Sequence, residues 1–208
     1  MRMVLPMPAW LVLFTLIAWF YPVPANAGKL DSAIDAYQQG NYQQAFEKFG
    51  PLADRGNANA QFYLAVMYNT GQGVAPNLDQ AVTWLQRAAE SGHAESLYLL
   101  GKFYAAGHGV ERDVGATRKL WTRAGNKGVL EAQAGLAQFY ASGGEWKRAV
   151  KWWRKAARQG DAESQYRLGL MYQAGKGGLK RNPRTARAWW RKAAAQGHLP
   201  AKQALAQG

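Results

Sequence analysis

Cysteine is absent from all 208 residues, so the chain has no disulfide staple, no thiolate metal ligand and no acylatable N-terminal cysteine of a lipoprotein. Histidine is scarce. His93, His108 and His198 stand far apart, none with a His, Cys or carboxylate at metal-ligand spacing, so the sequence points to no metal centre. Nucleophile signatures are missing too. Neither G-x-S-x-G nor S-x-x-K occurs, and no Gly-Lys-Ser/Thr follows the glycine-rich stretches, so no catalytic residue and no cofactor site is expected. Carboxylates are outnumbered, with 13 Asp/Glu against 26 Lys/Arg.

Long apolar runs are also lacking. Ala9 to Phe20 (AWLVLFTLIAWF) falls short of the roughly 20 residues that span a bilayer, which weighs against an uncleaved anchor. The run follows Arg2 and precedes Pro22, Pro24 and the A-x-A site Ala25-Asn26-Ala27, the order of a secretory signal. The expectation is cleavage after Ala27, a product starting at Gly28 with no transmembrane segment, and a periplasmic or secreted location.

What fills the rest is repetition. Residues 57–92, 93–128, 129–160 and 161–197 are four versions of one text with a period of roughly 36 residues, the mark of a solenoid. Each copy opens with a helix carrying Leu, a small residue and Tyr at i, i+1, i+4: Leu64, Ala65, Tyr68; Leu100, Gly101, Tyr104; Leu136, Ala137, Tyr140; Leu168, Gly169, Tyr172. A second helix sets large residues (Trp84, Leu85; Leu120, Trp121; Trp152, Trp153; Trp189, Trp190) four positions before small ones such as Ala88, Ala124, Ala156 and Ala193. Large meets small across the helix pair, so the aromatics are expected in the core.

These residues carry a resemblance. A-x-x-x-LG-x-x-Y-x-x-G-x-G-V, a helix start, then A-x-x-W-x-x-x-AA-x-x-G resembles the Sel-one-like repeat, a relative of the tetratricopeptide repeat, across Asn57 to Gly197 and partly across Lys29 to Gly56. The resemblance implies an all-α fold, a right-handed α/α superhelix whose first helices line a concave, partner-binding face, and an adaptor or scaffold rather than an enzyme. Cysteine-rich relatives have been linked to β-lactam binding. The paired cysteines of that branch are absent here, so that activity is not carried over.

Residues 28–56 read as a degenerate capping unit, with Gly40 stopping one helix, Asn41 capping the next, and Pro51 expected to kink it near Glu47. Residues 198–208 read as a C-terminal capping stub. Gly71-Gln72-Gly73, Gly107-His108-Gly109 and Gly175-Lys176-Gly177-Gly178 are read as left-handed helix exits rather than phosphate cradles. Asn77, Asp113 and Asn182 should cap the second helices. In the third repeat the loop shrinks to Ser142-Gly143-Gly144, which should offset the superhelix locally.

Charge is uneven. Gly28 to Val110 holds 5 Lys/Arg against 7 Asp/Glu, whereas Glu111 to Gly208 holds 20 against 6. Lys147, Lys151, Arg154 and Arg158 fall on one helical face, and Arg184, Arg187 and Arg191 repeat it. This stripe could hold an anionic partner as an electrostatic tether, with envelope phospholipid, glycan or an acidic protein ahead of nucleic acid, because the interleaved Trp occupy core positions. Glu95, Glu131 and Glu163 recur in a first turn, where the helix dipole accounts for them.

Against the core stripe, each first helix carries a second stripe: Asn59, Phe62, Val66; Glu95, Tyr98, Lys102; Glu131, Ala134, Gln138; Glu163, Tyr166, Leu170. By similarity to tetratricopeptide repeats it faces the concavity. Phe62, Val66, Tyr98, Lys102, Gln138, Tyr166 and Leu170 are therefore the expected protein-binding residues, unless packing on the neighbouring repeat uses them.

Overall fold

The computed structural model describes residues 27–207, so apart from Ala27 the expected signal segment lies outside the described residues. Eleven helices follow one another in an α/α solenoid, with no strand among the described residues: α1 (Ala27–Gln38), α2 (Tyr42–Asp54), α3 (Ala58–Thr70), α4 (Leu78–Glu90), α5 (Ala94–Ala106), α6 (Val114–Asn126), α7 (Leu130–Ser142), α8 (Trp146–Arg158), α9 (Ala162–Ala174), α10 (Pro183–Ala195) and α11 (Leu199–Ala206). Extensive helix contacts join only consecutive helices, as a one-dimensional stack requires. No helix among the described residues is long and apolar enough to cross a membrane.

Capping sets the helix lengths. Asn57, Asn77, Asp113, Asp161 and Asn182 accept hydrogen bonds from the backbone N–H three residues on, at 2.7–3.0 Å. His93 and His198 do the same through Nδ1, each at 3.2 Å. First helices end at left-handed Gly71, Gly107 and Gly175. Each second helix ends two residues before a positive-φ glycine, Gly56, Gly92, Gly128, Gly160 or Gly197, and the next N–H returns to a carbonyl five residues back, as His93 does to Ala88. Asn41 departs from expectation. It precedes α2, yet its side chain makes no cap and bonds Gln39 instead. Pro51 sits inside α2, which continues to Asp54.

The core follows the repeat. Ala60, Ser96, Ala132 and Ser164, at the third position of the first helices, are within 1% of full burial, and the leucines Leu64, Leu100, Leu136 and Leu168 are buried beside them. Met67, Phe103 and Met171 are buried as well, whereas Tyr68, Tyr104 and Tyr172 are only half-buried. The degenerate unit joins the stack through Phe49, whose ring lies face to face with Tyr63 at 4.7 Å. At the other end α11 packs on α10 through fully buried Ala201.

The inter-helix loops reach backwards. Gly73, Gly109 and Gly177 each press on the start of the preceding repeat's second helix, at Tyr42, Leu78 and Trp146 respectively. The third repeat has no such loop. The start of α6 is consequently bare, and Val114 is 46% exposed.

Candidate partner-binding surfaces

The first-helix row expected to bind a partner is partly occupied by the molecule itself. Phe62 lies 5.1 Å from the His93 ring of the next repeat, and Tyr166 lies 5.0 Å from His198 in the same relation. Tyr98 tilts against Trp121 at 5.9 Å, and Lys102 Nζ lies 5.9 Å from its ring centre. All three aromatics, with Val66 and Leu170, are half-buried, while Lys102 and Gln138 are exposed. Each ring thus rests against a neighbour and keeps part of its surface exposed. Burial, aided by Glu131, pushes the Tyr98 phenol above its ordinary value and keeps it neutral.

Two tryptophans from the second helices reach this same side. Trp121 Nε1 donates to the Tyr98 carbonyl at 3.1 Å, and Trp190 Nε1 to the Tyr166 carbonyl at 3.2 Å. Beyond Trp190, Tyr166, Leu170 and Gln173 face Pro200, Gln203 and Ala204 across a groove of about 340 Å³. The α11 side of that groove was not singled out in the sequence. Its signal was present, since His198 opens α11 as His93 opens α5.

Buried amides fix the register of the row. Gln61, Gln133 and Gln165 share one first-helix position and donate to the last-turn carbonyls of Ala53, Gly125 and Ala157 at 3.0, 2.8 and 3.1 Å. Gln159 and Gln196 then donate to the oxygens of Gln133 and Gln165 and to the Gly128 and Gly160 carbonyls. In the first repeat Ser91 stands where Gln159 does, and Gln61 Oε1 is buried without a partner. In the second, Leu97 replaces the glutamine, and Arg123 Nη2 takes the freed Ala89 carbonyl at 3.0 Å.

The outer side of the second helices sorts its cations into two groups. Arg87, Lys155 and Lys192 sit three residues after a tryptophan and lie 4.6, 4.5 and 4.7 Å over Trp84, Trp152 and Trp189. Arg123 occupies the same position, but Leu120 offers it no ring. This inward set was missed in the sequence, although its i, i+3 spacing to the aromatic is regular. The outward set is the expected stripe: Lys147, Lys151, Arg158, Arg184 and Arg191 are exposed and Arg154 and Arg187 half-buried. Among the described residues no carboxylate lies within ion-pair distance of these seven.

Burial pushes the Glu163 carboxyl up, but hydrogen bonds from Arg167 and His198 outweigh it and hold the group below the usual carboxylate range. That is a latch between α9 and α11. Among the described residues no three His, Asp or Glu side chains are grouped to hold a metal.

A family model, the Sel1 repeat, matches residues 58–93, 94–129, 130–161 and 162–198. No curated protein matches the chain. Among solved structures, a Sel1 repeat protein from Oxalobacter formigenes is 28% identical with a TM-score of 0.77, over 88% of this chain and 74% of that one. The protective antigen c5321 of uropathogenic Escherichia coli, which displays the same repeat fold, is 31% identical with a TM-score of 0.73 over 86% of this chain. This chain spans 40% of that antigen. An immunity protein from Pseudomonas aeruginosa, Pa5087, shares the fold at 20% identity and a TM-score of 0.50.

Proposed function

Because the chain belongs to the Sel1 repeat family, we propose that it is an exported, non-catalytic adaptor that holds a segment of another protein along its first helices. One observation carries the reading. Phe62, Tyr98 and Tyr166 occupy the same position of three first helices, each resting against a ring from a neighbouring element and only half-buried. Aromatic anchors held in this way lose little freedom on binding, which is how a few residues dominate an interface. By likeness to tetratricopeptide-type solenoids, this row is taken as the concave wall. The third repeat has Ala134 in the row, so a partner side chain can enter between Tyr98 and Tyr166.

Export rests on the segment ending Ala25-Asn26-Ala27, and intact mass of material from the envelope fraction should correspond to a chain starting at Gly28. Binding is tested by cross-linked capture from the native envelope with the wild type and with the Tyr98→Ala/Tyr166→Ala double variant. A protein captured by the first at both low and high salt, and lost by the second, supports the reading. Identical capture by both variants would remove the aromatic row from the interface.

A further inference from the structure

The seven outward cations are held as one surface. Gln196 at the end of α10 donates to the Gly160 carbonyl beyond α8 at 2.9 Å, and at the other end Gly177 and Gly178, in the loop before α10, lie against Trp146 and Lys147. The two helices are therefore pinned side by side at both ends. Lys147, Lys151, Arg154 and Arg158 run beside Arg184, Arg187 and Arg191, opposite the core positions Ala149, Trp153, Ala186 and Trp190. Lys176, Lys180 and Arg181 in the loop extend the patch, all three exposed. Its nearby carboxylates are taken, Glu145 by Arg148 and Glu163 by Arg167 and His198.

At one corner stands an exposed indole. Trp146 is 38% exposed, with Lys176 Nζ 5.8 Å from its ring, and it lines a shallow groove of about 490 Å³. We propose that the face running from Trp146 across α8 and α10 docks on an anionic phospholipid surface, cations on the headgroup phosphates and the Trp146 indole at the boundary with the acyl chains.

Shape and chemistry favour a lipid surface over other polyanions. α8 and α10 both pack on α9 and present their charges on a broad face rather than in a cleft. A bilayer meets such a face with many phosphates at once, relieving the self-repulsion of ten unpaired cations. An indole beside basic residues is the usual furnishing of a membrane interface. A nucleic acid strand would find no row of stacking rings, because Trp152, Trp153 and Trp190 are buried and Lys192 covers Trp189.

The test is co-sedimentation of the full chain with vesicles of phosphatidylcholine alone and with a phosphatidylglycerol fraction. Residues 1–27 carry an apolar run of their own, so the reading is the difference between the two vesicles. Each basic residue near an anionic surface contributes about 1 kcal/mol, a factor of about 5. The phosphatidylglycerol preference should be at least tenfold at low salt and collapse at ~0.5 M NaCl. Arg154→Glu/Arg187→Glu/Arg191→Glu should remove it while circular dichroism and melting stay as in the wild type. Trp146→Ala should weaken binding several-fold and keep the preference, and Tyr98→Ala should change neither. Equal binding to both vesicles, a preference surviving the triple reversal, or capture of poly-glutamate or a DNA oligonucleotide in place of vesicles would each overturn the proposal.

Discussion

The indole of Trp121 rests directly on Gly101, so closely that a β-carbon there would collide with Cδ1, and Trp190 rests on Gly169 in the same way. Where the second helix offers Leu85 instead, the matching small residue is Ala65. A glycine inside a helix normally costs about 0.5–1 kcal/mol relative to alanine. Here it makes room for the tryptophan. Gly101→Ala should therefore destabilise by about 1–3 kcal/mol through overpacking, whereas Gly50→Ala, with nothing within 4 Å, should stabilise by up to ~1 kcal/mol. Denaturant midpoints of the two variants check it, and a stabilised Gly101→Ala would refute the fit.

Burial separates two tryptophans on one helix. Trp153 is 3% exposed and Trp146 38%. Trp153→Ala removes a ring from the core between the third and fourth repeats and should cost about 3–5 kcal/mol. Trp146→Ala should cost less than about 1 kcal/mol. Thermal melts of both variants make the comparison, and equal losses would mean that the repeats are stacked differently.

The helices and their inward columns were legible because four copies of one text report on each other: Leu64, Leu100, Leu136 and Leu168 could only share a face. Polar residues inside that face were harder to read. An amide at Gln133 looks like surface until its two partners arrive, the Gly125 carbonyl from α6 and Gln159 from the end of α8. The cations posed the same difficulty. Lys151 and Lys155 differ little in sequence, yet one faces water and the other lies over Trp152. Of the expected binding row, the sequence could place Phe62 and Tyr166 on one side of their helices. It could not disclose that His93 and His198 cover part of each ring.

Comparison between repeats points to a stabilising change. Gln61 Oε1 is buried and unpaired because Ser91 stands where Gln159 and Gln196 stand later in the chain. Ser91→Gln places an amide donor within reach of Gln61 and of the Gly56 carbonyl, copying the contacts of Gln159. A hydrogen bond to a buried orphan should contribute about 0.5–1.5 kcal/mol. The gain should vanish in Gln61→Leu/Ser91→Gln, and a double-mutant cycle by chemical denaturation measures that coupling.

Acid should loosen the junction between the first two repeats through His93. Its Nδ1 accepts the Ser96 N–H at 3.2 Å, so the neutral ring keeps its proton on Nε2, facing Asn59 Oδ1 at 3.0 Å. Protonation places a hydrogen on Nδ1 and abolishes the cap. Burial pushes the His93 pKa below its ordinary 6.5, outweighing the opposing pull of Glu95. With the folded value below the unfolded one, the unfolded chain binds more protons between them, so stability rises with pH there. The contribution is complete above about pH 6.5 and is lost as pH falls through the folded value. Glu163, held below its ordinary 4.5, loses its contribution only at lower pH and leaves this window clear. His93→Asn retains a cap acceptor that does not titrate. Between about pH 7.5 and 5.5 the wild-type melting temperature should fall more steeply than that of His93→Asn, with His198 common to both, and parallel slopes would show that His93 does not couple protonation to folding.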